Sequence, residues 1–302
     1  HMENAFNVQT VKETTSFTVS ITGEITKQVS VPSGTQLGNV DGLKDYFSDR
    51  YVVTNQEGDT VYSSTTQVVS DITVKIVKKW NVKITGLVSV EKYVMPGTKL
   101  ESISELGSYW TDRYAVTNQG WTTFYNKNTQ VTSDMVIDVV KKWRVQIIGL
   151  VSLERFVMPG TKLESISELG SYWADRYAVT NQGWTTIYNK NTQVTSDMVI
   201  DVVKKMKVTI SGFIQETAYV MPQTYLGNID YLKPYFNNQW YAVFGQSIND
   251  EYNNNTVVNM DITVQVIQKC SVSTSGVLFR TDYVIPETEL KSLENYSLFF
   301  DD

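Results

Sequence analysis

Histidine and cysteine are almost missing from this 302-residue chain, which holds one of each, His1 and Cys270. The opening pair His1-Met2 reads as a cloning remnant, so the rest of the sequence is free of histidine. That removes the commonest general base, the usual activator of a serine or cysteine nucleophile and the commonest zinc ligand together. A single cysteine excludes thiolate metal clusters and any disulfide within the chain, and it leaves the redox compartment open. Positive charge is also in short supply: 26 Lys and Arg against 32 Asp and Glu give a formal net charge of −6. A nucleic-acid surface needs clustered Lys and Arg to displace phosphate counterions, so nucleic acid is not an expected partner. No apolar run reaches the roughly 18 to 20 residues that cross a bilayer, so no membrane insertion is expected within this segment. These absences point to a protein without catalysis, cofactor or metal.

What is present is self-similarity. Residues 80–142 and 143–205 are one segment written twice, differing at eight positions: Asn81/Arg144, Lys83/Gln146, Thr85/Ile148, Val90/Leu153, Lys92/Arg155, Tyr93/Phe156, Thr111/Ala174 and Phe124/Ile187. Weaker copies flank them, aligned by Gly23, Gly86, Gly149, Gly212 and Gly276 and by Tyr51, Tyr114, Tyr177 and Tyr241. The expected domains are 17–79, 80–142, 143–205 and 206–269, the last with one inserted residue. Residues 3–16 read as the closing strand of a preceding copy, and 270–302 as a partial copy of hairpin plus helix.

Within a copy, the alternation Trp80-Asn-Val-Lys-Ile84 and the apolar run Tyr93-Val-Met95, stopped by Pro96-Gly97, predict a hairpin. Thr98-Lys-Leu-Glu101 has the form of a capping box, and Leu100, Ile103 and Leu106, ended by Gly107, predict a helix of three turns at most. Ile103 and its counterpart Ile166 are expected to be buried beneath it. Tyr114–Asn118 and Thr122–Tyr125 flank a Gln119-Gly-Trp121 turn, and Met135–Lys142 forms a last strand after Ser133-Asp134. One short helix on a small mixed sheet is an α+β, β-grasp-like arrangement, one of the two-layer ways by which some 60 residues can bury a core. Between copies there is no Gly, Pro or Ser linker. Ile137, Val139, Trp143, Val145 and Ile147 alternate along what reads as one continuous strand. Such junctions predict an elongated rod, on the order of 100 Å long for four copies at about 3.3 Å per strand residue.

Trp80 and Trp143, matched by Phe17, Met206 and Cys270, occupy an alternating strand position and are expected to pack in the core or junction, which makes Cys270 a buried small hydrophobe. With Gly86, Gly149, Gly212, Tyr114 and Tyr177 they anchor the repeat. An aromatic pair follows each helix, as in Tyr109-Trp110, Tyr172-Trp173 and Phe299-Phe300; one member should lock helix to sheet, leaving Trp110 and Trp173 as candidate binding residues. Trp121 and Trp184 follow glycines at a predicted turn tip where the weaker copies carry Gly58 and Ile248. A rigid exposed aromatic there suits a sugar ring or a partner protein. Asp71, Asp134, Asp197 and Asp261 read as turn caps, and Asp49, Asp112 and Asp175 as members of surface Asp-Arg contacts. Paired carboxylates can hydrolyse glycosides, but only in a cleft of defined separation, which identical copies along a rod do not supply. No Asp-x-Asp-x-Asp-Gly calcium loop occurs.

The closing phrase Thr129-Gln-Val-Thr-Ser-Asp134-Met-Val-Ile-Asp-Val-Val-Lys-Lys-Trp143 resembles the end of the Listeria-Bacteroides type internalin B-repeat, in which Val-Thr-Ser-Asp leads into a final strand ending at Lys-Trp or a similar pair. The opening hairpin and its Pro-Gly stop resemble that family too, and mucin-binding-like β-grasp repeats share much of the pattern. Where the B-repeat has a Gly-Tyr-x-Phe-x-Gly-Trp core, this chain reads Asp112-Arg-Tyr-Ala-Val-Thr-Asn-Gln-Gly-Trp121. The resemblance implies a β-grasp fold, a place in a modular extracellular or cell-surface protein, and no catalytic residues. The leading expectation is a non-enzymatic stalk or interaction module for a protein or glycan ligand. The alternatives are a carbohydrate-binding array using Trp121 and Trp184 and, far behind, a carboxylate enzyme. The partial copy also suggests head-to-tail self-association, with the strand at residues 3–12 of one molecule completing residues 270–302 of the next.

Overall fold

In the computed structural model, which describes residues 14–294, 296 and 297, apolar residues at every second position bury one face of the first and closing strands of each larger sheet, as Val82 and Ile84 do, while in strands such as Tyr114–Asn118 consecutive residues are buried. The chain divides into two compact units, residues 1–142 and 143–302.

In the first unit, β1 (Ser16–Gly23), β2 (Lys27–Pro32), β3 (Tyr51–Thr54), β4 (Val61–Tyr62) and β5 (Ile72–Lys78) form a sheet in the order β2-β1-β5-β3-β4. Next come β6 (Trp80–Gly86), β7 (Val90–Val94), β8 (Tyr114–Asn118) and β9 (Met135–Lys141), in the order β7-β6-β9-β8. In the second unit, β10 (Trp143–Gly149), β11 (Leu153–Val157), β12 (Tyr177–Asn181) and β13 (Met198–Lys204) repeat that order as β11-β10-β13-β12. Then β14 (Met206–Gly212), β15 (Glu216–Val220), β17 (Tyr241–Phe244) and β19 (Ile262–Gln268) form the sheet β15-β14-β19-β17, while β16 (Thr224–Tyr225) pairs with β18 (Val257–Val258). A last hairpin joins β20 (Cys270–Thr274) to β21 (Arg280–Val284). In each of the four larger sheets the first and last long strands lie side by side and parallel, as in Val82↔Met135 through Gly86↔Val139, while the other strand pairs are antiparallel.

Each larger sheet covers its own core. In residues 80–142 the sheet contributes Val82, Ile84, Val116, Ile137 and Val139, and the connection from β7 to β8 contributes Leu100, Ile103 and Leu106. That connection is not the predicted helix. It is a pair of 3-10 stretches, Leu100–Ser102 and Ser104–Tyr109, and among the described residues there is no α-helix. Ile103 stands between the two stretches in extended backbone and is 2% exposed, so its burial is as expected although the helix is absent. The capping box is not formed either: Thr98 Oγ1 donates to the Met95 carbonyl at 2.7 Å, closing the Pro-Gly turn instead. Thr122–Tyr125 is no regular strand, but meets β8 through a single bridge, Thr117↔Phe124.

Gly86 is required by its surroundings. Its φ is +91°, and a Cβ there would run into the Val139 carbonyl oxygen across the parallel ladder. The expected continuous strand between copies is also corrected. β5 stops at Lys78 and β6 starts at Trp80 in another sheet; the Lys79 N–H between them continues the register of β5 against β3, donating to the Arg50 carbonyl at 2.9 Å. Lys205 does the same with Arg176 at 2.8 Å. β9 likewise ends at Lys141 and β10 begins at Trp143.

Cys270, expected to be buried, is exposed. Its hairpin has no parallel partner strand among the described residues, so Val272 is only half-buried where Val82, Val145 and Val208 are 0% exposed. Residues 3–13 of the suggested preceding strand and the pair Phe299-Phe300 lie outside the described residues. Among the described residues no helix is long and apolar enough to cross a membrane.

Candidate functional site

Asn118 closes β8 with a polar turn. Its Oδ1 accepts the backbone N–H groups of Thr122 and Thr123 at 3.0 and 2.8 Å, and its Nδ2 donates to Thr122 Oγ1. That turn places Trp121 at φ +59°, the left-handed region that bulky residues avoid, and Trp184 takes the same conformation at +61°. In the first sheet the equivalent residue is Gly58, at +82°. Both rings are about two-fifths exposed, 39% and 40%. Neither is free to rotate away, because Trp121 Nε1 donates to Asp138 Oδ2 and Trp184 Nε1 to Asp201 Oδ2, each at 2.8 Å.

The two aspartates were missed in the sequence, although a signal existed. Asp138 and Asp201 stand in the closing strands only where the turn carries tryptophan; Lys75 and Gln265 replace them beside Gly58 and in the fourth sheet. In the first of those two copies a different polar link appears, Thr22 Oγ1 to Gln56 Oε1 at 3.1 Å.

Trp110 and Trp173 lie elsewhere. They are half-buried, packed against the core of their own sheet on the side opposite Asp138, and line a cleft with the edge strand. The same cleft recurs three times: beside Tyr109, Trp110 and Tyr125 with about 350 Å³, beside Tyr172, Trp173 and Tyr188 with about 290 Å³, and beside Tyr235, Phe236 and Tyr252 with about 340 Å³. Tyr114 and Tyr177 form its floor through edge-on contacts with Tyr109 and Tyr172, ring centres 5.1 and 5.2 Å apart. The Trp110 and Trp173 Nε1 atoms are buried and have no hydrogen-bond partner. Phenylalanine fills the position in the first and fourth copies, Phe47 and Phe236, so packing there needs no donor. Trp110→Phe should therefore change the stability of its segment by less than about 1 kcal/mol, relief of the unpaired N–H offsetting the lost ring volume. Equilibrium denaturation of the variant checks this, and a loss of several kcal/mol would mean the indole fills a space that phenyl cannot.

Trp80 and Trp143 are half-buried and pack against their own cores, as Phe17 and Met206 do. Lys78 Nζ lies 5.5 Å from the Trp80 ring centre. Gly149 and Gly212 repeat the Gly86 geometry at φ +92° and +90°.

The recurring aspartates before the closing strand, expected to cap turns, instead tie the start of that strand to the first strand of the same copy: Asp71, Asp134, Asp197 and Asp261 accept the backbone N–H of Thr18, Asn81, Arg144 and Lys207 at 2.7 to 2.8 Å. The arginine contact is corrected. Arg50 reaches Asp134, at 3.7 Å, and Arg176 reaches Asp261, at 3.2 Å, so each joins one sheet to the next within its unit rather than pairing with the aspartate beside it. The Lys207 N–H, aided by the Arg176 charge, holds the Asp261 carboxyl below its ordinary range. Among the described residues no three His, Cys, Asp or Glu side chains group as metal ligands would.

No protein-family model matches the chain, and no curated protein matches it. The likeness to internalin-type B-repeats thus rests on the phrases that carry it.

Proposed function

We propose that the chain is a non-enzymatic array of β-grasp-like domains that serves as a stiff spacer in a secreted or cell-surface protein and presents repeated surfaces to a protein or glycan. The observation that carries this reading is the junction within each unit. A single residue, Lys79 or Lys205, separates two sheets, and its N–H is tied back to Arg50 or Arg176 of the sheet before it. The same arginine's side chain reaches an aspartate of the sheet after it. The ion pairs are roughly half exposed and add little energy by themselves. Stiffness comes from having almost no rotatable chain between two hydrogen-bonded ladders.

Spin labels at Thr65→Cys and Asn128→Cys, in a Cys270→Ser background, test this. The expected distance distribution is single and narrow, little changed by Arg50→Ala and strongly broadened by inserting Gly-Gly-Ser after Lys79. A broad distribution in the parent chain overturns the spacer.

A further inference from the structure

The two near-identical segments differ mainly where their sheets face outward. Alternation puts Asn81, Lys83 and Thr85 on the face of β6 opposite the buried Val82 and Ile84. Tyr93 pairs with Asn81, and Phe124 with Thr117 in the row of Thr85 and Asp138, so both stand on that outer face. The counterparts are Arg144, Gln146, Ile148, Phe156 and Ile187, which makes five of the eight differences. Two more are conservative: Val90/Leu153 keeps its contact with the core, and Lys92/Arg155 keeps its ion pair with Glu105 or Glu168. Residues 126–134 and 189–197 are mostly exposed yet identical, so exposure alone does not explain where the changes fall.

At that face stands a tryptophan in a backbone conformation suited to glycine. Covering the sheet does not require it, since Thr54, beside the Gly58 turn, is 1% exposed, against 0% for Thr117 and Thr180. With its N–H given to Asp138 or Asp201, the indole keeps no free donor, and that bond holds it at the surface about two-fifths exposed. A π face without a free donor matches a ligand with an apolar face, and the side chains around it match one with a polar rim. Lys83 and Glu91 face each other across one sheet, and Arg144 is bonded to Glu154 in the other, so the surface has no single sign of charge to favour an ion.

We propose that this outer face binds carbohydrate: Trp121 and Trp184 stack on the C–H face of a neutral pyranose ring, and residues 81, 83 and 85, or 144, 146 and 148, select its hydroxyl pattern. The two sites are not equivalent. Thr85, whose Oγ1 lies 3.1 Å from the Ile137 carbonyl oxygen and 3.3 Å from Asp138 Oδ1, is replaced by Ile148 beside Asp201, so the rim around Trp184 has one hydroxyl fewer than the rim around Trp121. This rests on the reading that the array presents surfaces to a ligand, and not on the stiffness of the spacer.

The full chain is applied to a printed array of neutral oligosaccharides, and the best binder is then titrated against tryptophan fluorescence. In the Trp121→Gly, Trp184→Gly double variant, glycine suits the turn as Gly58 does, so the thermal midpoint should equal or exceed the parent's while the array signal falls about tenfold or more. Each single variant should retain a different set of sugars. The assignment is overturned if the parent binds no neutral oligosaccharide, or if the folded double variant binds as the parent does. It is equally overturned if the parent instead captures Lys- or Arg-rich peptides and the double variant does not, since the ring would then be a platform for cations. None of these outcomes bears on the distance distribution that tests the spacer.

Discussion

Replacing Gly86 with alanine should unfold residues 80–142, whereas the same change at Gly97 should cost only about 1–2 kcal/mol. Both glycines have positive φ, +91° and +81°, so the conformational penalty of a Cβ is similar. The surroundings differ. Nothing lies within 4 Å of a Cβ at Gly97, while at Gly86 it would meet the Val139 carbonyl oxygen and carbon, backbone atoms of the strand paired with β6. To relieve that contact the parallel ladder must open where it holds the first and last strands together. Strain of this kind belongs among the large single-residue effects, about 4 kcal/mol or more. A segment of this size has roughly 3–9 kcal/mol in total. Hydrogen exchange read by mass spectrometry should show protection lost from the strands of residues 80–142 in Gly86→Ala and kept in Gly97→Ala. Equal protection in both would mean the ladder can shift without cost.

Ile103→Asp should have an effect as large by a different route. The side chain is 2% exposed among Leu100, Leu106, Val116 and Val131, none of which can bond a carboxyl group. The new group must stay charged and unpaired, or take up a proton and remain without partners, and either costs several kcal/mol. Ile103→Val, which removes one methylene, should cost only about 0.5–1.5 kcal/mol. Chemical denaturation of the two variants separates them, and Ile166, at 4%, should behave alike in residues 143–205. A thermal profile of Ile103→Asp matching the parent would mean the 3-10 connection turns this residue outward in solution.

The spacing of the apolar residues in the connection itself distinguishes a 3-10 winding from the expected helix. Leu100, Ile103 and Leu106 are spaced by three, as are Leu37, Val40 and Leu43, and Leu226, Ile229 and Leu232, every one of them at most 4% exposed. An α-helical stripe must alternate steps of three and four to follow 3.6 residues per turn, whereas a strict three suits a 3-10 winding. The serines at 102, 104 and 108 and Gly107 further weaken an α-helix. Strands were legible because period two has no close rival, whereas the sheet order was not, since it rests on pairings such as Val82 with Met135, far apart in the chain. The links at the surface were not legible. Arg50 finds its aspartate 84 positions downstream, and Trp121 finds Asp138 across a turn. Local pattern gives no reach over such separations, and in the second case only the joint appearance of tryptophan and aspartate in two copies marks the pair.

The parallel pairing of first and last strands also decides how these sheets respond to tension. When a chain is pulled from both sides of residues 80–142, force enters at the start of β6 and leaves at the end of β9. Those points lie at opposite ends of two neighbouring parallel strands, aligned from Val82↔Met135 to Gly86↔Val139. The load therefore runs along the ladder and strains its hydrogen bonds together, in shear, instead of opening them one by one as it would in a hairpin pulled from its free ends. Forced rupture is a matter of unfolding rate rather than of equilibrium stability, so a small domain of modest free energy can still resist stretching for a long time. A tether made of such sheets would hold its length under flow or traction and then give way one domain at a time.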